Sequence, residues 1–407
     1  MHIGGNHVDW RHLPPAKTST QPSPLQGDVP LKYLLLPATS SPPRVRHSST
    51  FPALDPAKKI EEQRMPAYDR GLYYPVKLGD VFCSRYQVLS KLGFEANSMI
   101  WFCRDLQQHR YIALKIYIHS SKPNHEVQVL EYLVACRTDH PDHWAEREPP
   151  ICVVQEPLLS SLLHFQATLN PMSLTEALLK GALQQLLLAL DIFIPRPTLS
   201  TLVTKNIIIE SSDPSIFDEW EKEEEAEPTP RKTDNDMVIC QSRRSHRKKG
   251  WNKYFGMPIL CDLGEARIGD VHTGVIQPDL YRAPEVVLGM EWTSKVDIWN
   301  VGVLIWDIFE DDHLFDGRGP DEKHSDAQLL AEMMSILGPP STNFLNKSSR
   351  SGEFWNEQGR APSFSSSWYL SNEEMFMQFM KKMLRWAPEE RQSAQELLMD
   401  PWLMTPC

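Results

Sequence analysis

The stretch PDLYRAPEVVLGMEWTSKVDIWNVGVLIW, from Pro278 to Trp306, constrains the fold more than any other part of this chain. Its first half is polar and aromatic around Ala283-Pro284-Glu285, and its second half is apolar. Val301, Leu304, Ile305 and Ile308 recur at helical spacing, which predicts a helix buried on most of its circumference. Asp297 stands near the start of that helix and Gly302 lies inside it. A loop followed by an ordinary amphipathic helix is the bland alternative. The bracketing of Ala283-Pro284-Glu285 by Tyr281-Arg282 before and Asp297-Ile298-Trp299 after argues for something more specific.

The 407 residues are 41% hydrophobic and 23% charged, enough for one large two-part domain or two ordinary ones. A net charge of −11 argues against direct nucleic-acid binding and suits a partner carrying positive charge. Seven cysteines without a CxxC pair suit a reducing compartment, cytoplasmic or nuclear, rather than a disulfide framework or zinc site. The longest apolar run, around Leu186–Ile194, is broken by Asp191, so no membrane span is expected. Residues 1–54 are rich in Pro, Ser and Thr and are expected to be disordered. Their basic, acid-poor character also suits a mitochondrial transit peptide, but five prolines between Pro14 and Pro30 would interrupt its helix.

From Tyr73 the texture changes. Arg85-Tyr86-Gln87-Val88-Leu89 alternates as a strand, and Leu92-Gly93 opens a turn. Met99–Phe102 and Tyr111–Ile116 follow as two more strands, the latter carrying Lys115. Asn124–Glu131 begins a helix whose expected buried stripe is Val127, Leu130 and Val134. Ile151–Val154 is a strand running into a link at Gln155–Leu158. Leu174–Phe193 is a core helix with a dense period of Leu178, Leu179, Leu183, Leu186, Leu187 and Leu190. Between Asn206 and Asp262 lie 55 residues, most of them an insert at about 211–255, acidic from Asp218 to Glu227 and basic from Arg243 to Lys249. Like-charged blocks of this kind are expected to be solvated and mobile.

Taken together, Asp262-Leu263-Gly264-Glu265-Ala266-Arg267, Gln277 to Glu285, His119 to Asn124 and Phe255-Gly256-Met257-Pro258 resemble eukaryotic Ser/Thr protein kinases. The nearest resemblance is to the SR-protein-kinase-like proteins of filamentous fungi, over about four-fifths of the chain. It implies an α+β, two-lobed fold: a small β-rich lobe and hinge over 73–158 and a larger helical lobe over 159–403. It implies ATP and Mg²⁺ as cofactors, and transfer of the γ-phosphate to Ser or Thr of proteins, with arginine–serine-rich proteins the substrate class. Lys115 would hold the α- and β-phosphates and pair with Glu126. Gly93 and Ser98 would belong to the phosphate loop and Ala113 to the adenine pocket. Gln155 would be the gatekeeper, and the Glu156 carbonyl and Leu158 amide would meet adenine. Asn206 and Asp262 would hold the metal, and Arg391 would form a buried ion pair with Glu285.

The chain departs from that pattern in the phosphate loop and the catalytic loop. Gly93-Phe94-Glu95-Ala96-Asn97-Ser98 keeps one of three glycines, and Glu95 puts a carboxylate where polyphosphate should lie, so ATP affinity should suffer. Aligning Leu199–Asn206 with the catalytic loop puts Thr201 where the proton-accepting Asp belongs and Val203 where a lysine neutralises the γ-phosphate. The run His140–Pro150 is too short and Pro-rich for the strand that normally precedes the hinge strand. Two readings follow: a Ser/Thr protein kinase, and a pseudokinase scaffold that keeps nucleotide-binding residues but has lost phosphoryl transfer.

Overall fold

The computed structural model describes residues 41–44, 51–120, 124–135, 151–169, 173–193, 206–234, 237–243, 254–310, 312–355 and 374–405. In chain order the principal elements are β1 (Val81–Phe82), β2 (Tyr86–Phe94), β3 (Ser98–Asp105), β4 (Arg110–Tyr117) and helix α1 (His125–Ala135). Next come β5 (Cys152–Gln155), β6 (Ser160–Ser161), α2 (Glu176–Phe193), β7 (Ile207–Ser211), α3 (Ile216–Ala226), β8 (Arg231–Asp234), β9 (Met237–Cys240) and β10 (Phe255–Leu260). The helices α4 (Lys295–Phe309), α5 (Asp326–Leu337) and α6 (Glu374–Met383) follow. The chain divides into two units: residues 1–121, 140–157 and 215–247 form the first, and 122–139, 158–214 and 248–407 the second.

The first unit is built on an antiparallel sheet in the order β1-β2-β3-β4-β5. Residues Tyr86 to Lys91 of β2 are all buried, which requires cover on both faces of the sheet. On one face Val88, Met99, Trp101, Cys103, Ile112, Leu114 and Ile116 pack with Ala67, Tyr73 and Val76 and with Cys240 of β9. On the other, Phe102 stacks on Tyr111 with centroids 5.0 Å apart and meets Phe217 and Trp220 of α3 edge-on or tilted.

The insert therefore departs from the expectation of a solvated, mobile segment. Its acidic run carries Ile216, Phe217 and Trp220 on one side of α3, and those three are buried. Buried Glu221 meets Arg104 and accepts from Tyr111, and buried Glu224 meets Arg243 and accepts from the amide and hydroxyl of Thr229. Two buried charges are tolerated because both are paired. Of the remaining acids of the run, Asp218, Glu219, Glu225 and Glu227 are exposed and Glu223 is half-buried, 3.9 Å from Arg243. The basic residues 244–249 lie outside the described residues, as do 1–40 and 45–50 of the segment expected to be disordered and all of the 140–150 run.

Two short pieces of the 1–54 segment do have a place in the first unit. Ser41 donates its amide to Leu106, Arg44 exchanges hydrogen bonds with the Gln87 side chain, and Ala53 bridges to Arg231. Just beyond, buried Lys232 donates to the carbonyls of Asp55, Pro56 and Lys58, and buried Lys91 of β2 pairs with Glu62.

The second unit holds the small antiparallel sheet β10-β7-β6 and the long helices. Every residue of α4 from Val296 to Ile308 is buried, as the apolar spacing predicts. Gly302 is there because α6 comes close: a Cβ at that position would sit 2.8 Å from Leu384 Cδ2 and 3.2 Å from Met383 Cβ. In α2, Leu179, Leu183, Leu186, Leu187 and Leu190 form the buried stripe, whereas Leu178 is 48% exposed, one residue off that face. Among the described side chains of α1 the buried ones are Glu126, Val129 and Leu130, so Val129 takes the place expected of half-buried Val127; the side chain of Val134, also expected in the stripe, lies outside those described.

Candidate nucleotide and metal site

Within the first unit, β2 and β3 are joined by Glu95-Ala96-Asn97, closed by a hydrogen bond from the Glu95 amide to the Ser98 carbonyl at 2.8 Å. The Tyr73 hydroxyl, from the covering segment, donates to the carbonyls of Glu95 (2.7 Å) and Ala96 (3.0 Å). Burial, with Glu62 and Glu95 adding, pushes the Tyr73 phenol up to about 12, so it stays a donor at neutral pH. Gly93 has nothing within 4 Å of where a Cβ would stand and is not in the left-handed region, so this turn does not depend on it.

Lys115 stands on β4 opposite Ile100 of β3 and Val153 of β5, with its side chain 3% exposed. Its Nζ lies 2.8 Å from Glu95 Oε2 and 5.5 Å from the centre of the Tyr117 ring on the same strand face. Glu95 Oε2 also accepts from the Ser98 hydroxyl at 2.7 Å, and Ser98 is fully buried. Ser98, Lys115 and Glu95 are thus brought together; the expected phosphate-loop serine and phosphate lysine converge on one carboxylate. Ala113, buried, pairs with Gln155, and the Glu156 carboxylate is 2.5 Å from Arg110. The chain passes from the first unit to the second between Pro157 and half-buried Leu158.

In the second unit β7 and β10 pair with Ile207 opposite Leu260, and the Cys261 amide donates to the Asn206 carbonyl at 2.8 Å. Asn206 and Asp262 therefore emerge next to each other from the end of one ladder. Asp262 is held at φ 62, in the left-handed region that costs a non-glycine residue free energy, and its Oδ1 accepts from the Gly264 amide at 3.2 Å. Glu126 is buried in the first turn of α1. Its neighbour His125 contacts the Ala266 carbonyl at 2.5 Å through Nε2, tying the start of α1 to the segment after Asp262-Leu263-Gly264. Sequence reasoning missed His125, whose only signal is its place beside Glu126. Thr201 and Val203 lie outside the described residues.

Farther along, Arg391 pairs with Glu285, and Tyr281 donates to Asp307 Oδ2 at 2.5 Å while His313 Nδ1 stands 2.8 Å from the same carboxylate. Burial pushes the Asp307 carboxyl up, against the hydrogen bonds of Tyr281 and His313. Among the described residues no group of three His, Cys, Asp or Glu could hold a metal ion, and no helix is long and apolar enough to cross a membrane. An Mg²⁺ ion would have Asn206 and Asp262, both oxygen donors of the type that hard cation takes, with further ligands supplied by phosphate and water.

Residues 255–403 match the protein kinase domain family. A serine/threonine protein kinase of Aspergillus fumigatus is 62% identical over 387 residues, covering 89% of this chain and 96% of that protein. The serine/threonine-protein kinase SRPK of Physarum polycephalum is 26% identical over 392 residues, 84% of this chain and 91% of its own. A crystal structure of a kinase domain shares the fold with a TM-score of 0.63 at 20% identity, covering 82% of this chain and all of that one. The fold is the α+β fold of protein kinases, and this chain belongs to the serine/threonine protein kinase family.

Proposed function

We propose that this chain binds Mg-ATP through Lys115, Asn206 and Asp262, and that its phosphoryl transfer to protein substrates is slow. The observation that carries the reading is Lys115: an ammonium 3% exposed on a sheet strand with an anionic group 2.8 Å away. A cation buried this deeply is a ready partner for phosphate oxygens. ATP would supply the transferable phosphoryl group. Lys115 would orient its phosphates, Glu126 is its expected ionic partner, and Asn206 and Asp262 would hold the metal. Gly93 and Ser98 would border the phosphates, and Ala113, Glu156 and Leu158 the adenine. Thr201 cannot orient a substrate hydroxyl by accepting its proton as a carboxylate does, and Val203 brings no positive charge to the transferring group.

Arginine–serine-rich proteins are the proposed substrate class. The Physarum relative and the net charge of −11 support it, because an acidic surface attracts basic peptides. The proposed location is cytoplasmic or nuclear, which seven cysteines without a CxxC pair support.

Thermal-shift titration with Mg-ATP tests the nucleotide reading. The full chain is expected to gain stability as RT ln(1 + [L]/Kd), and Lys115→Ala and Asp262→Ala to lose that gain. Equal shifts in all three proteins would refute the reading.

A further inference from the structure

We propose that Glu95 is an internal competitor for nucleotide phosphate: its carboxylate occupies Lys115 in the resting protein, and polyphosphate binds by displacing it. The inference rests on the reading of Lys115 as the phosphate-binding lysine and goes beyond it in assigning the resting occupant of that site.

Two contacts hold the carboxylate itself, and further hydrogen bonds hold the backbone that carries it. Oε2 sits 2.8 Å from Lys115 Nζ and takes the Ser98 hydroxyl at 2.7 Å, two donors on one oxygen. The backbone that carries it is pinned from outside the turn, where the buried Tyr73 hydroxyl donates to the carbonyls of both Glu95 and Ala96. The turn is short and closed by the Glu95 amide on the Ser98 carbonyl, which fixes the backbone from which the Glu95 side chain reaches Lys115. A charged hydrogen bond to a buried ammonium is stronger than one in water, yet Glu95 itself is 37% exposed and has a path out to solvent.

Displacement is consequently an exchange of one anion for another on the same cation. A ligand carrying several phosphate charges can make that exchange, whereas adenosine, with none, gains nothing from Lys115 and does not disturb the pair. The Tyr73 contacts make the covering segment part of the device: loosening residues 73–76 would free the turn and ease the exchange. The acid at this position thus does more than repel phosphate, since it keeps the buried lysine neutralised until phosphate arrives.

Isothermal titration of the full chain with Mg-ATP and, separately, with adenosine tests the proposal. Glu95→Gln keeps the shape and removes the charge; its Mg-ATP affinity should rise by about twofold to fivefold, the worth of a partly exposed ion pair, with adenosine affinity unchanged. Tyr73→Phe, which removes only a hydroxyl, should shift Mg-ATP affinity in the same direction by a smaller factor. Unchanged Mg-ATP affinity in Glu95→Gln, together with lost affinity in Lys115→Ala, would overturn the competitor while leaving the lysine in its role. Wild-type Mg-ATP affinity in Lys115→Ala would overturn the lysine reading itself, and the competitor with it.

Discussion

Arg391 and Glu285, 106 positions apart in the chain, form a two-pronged ion pair in which both side chains are completely buried. The two N–O distances are 2.7 and 2.6 Å, and the guanidinium also donates to the carbonyls of Lys295 and Arg385 while lying over the Trp299 ring. With its donors satisfied, the pair fastens the Ala283-Pro284-Glu285 segment to the closing segment of the second unit.

Breaking one side of it should cost heavily. Arg391→Ala is expected to destabilise the protein by about 3–5 kcal/mol, because it strands a buried carboxylate. Urea unfolding followed by Trp fluorescence measures this. A loss comparable to that of an exposed control such as Lys347→Ala would contradict the account.

A second pair gives a pH dependence. Asp105, fully buried, is doubly bonded by Arg85 at 2.9 and 2.7 Å and also accepts the amides of Gln107 and Gln108. Burial acts to raise its carboxyl, and the hydrogen bonds from Arg85 and the two amides outweigh it, holding the group below the usual carboxylate range. A depressed folded-state value contributes stability that is present above the unfolded value, about 3.9, and is lost as pH falls through the folded one. Asp105→Asn should therefore be less stable than wild type by about 3 kcal/mol at pH 7, with the gap closing below about pH 4. A gap that stays constant from pH 7 to pH 3 would contradict this assignment.

The elements carrying strong local patterns are legible in the sequence. The strands around Lys115, most of the stripe of α2 and the deeply buried α4 follow from period and spacing, and Glu285 and Arg391 follow from the family resemblance. What stays hidden depends on contacts between distant segments. The acidic run of α3 conceals an apolar face because Ile216, Phe217 and Trp220 are outnumbered by charges, and only the presence of Phe102 and Tyr111 beneath it explains why it packs. Lys91 reads as a surface lysine until Glu62 is brought to it from 29 positions away. Glu95 is recognisable from the sequence as an unfavourable charge, but its bond to Lys115 requires the β3–β4 register that sets Ser98 opposite Tyr117 and Ile100 opposite Lys115.

Phosphate transfer to an arginine–serine peptide tests the central claim, that the chain holds nucleotide yet transfers its phosphate poorly. Wild type should show little or no transfer. Thr201→Asp combined with Val203→Lys should raise the rate by at least the factor of about 10²–10⁴ associated with a positioned general base. Robust turnover by the unmodified chain, abolished by Asp262→Ala, would contradict it.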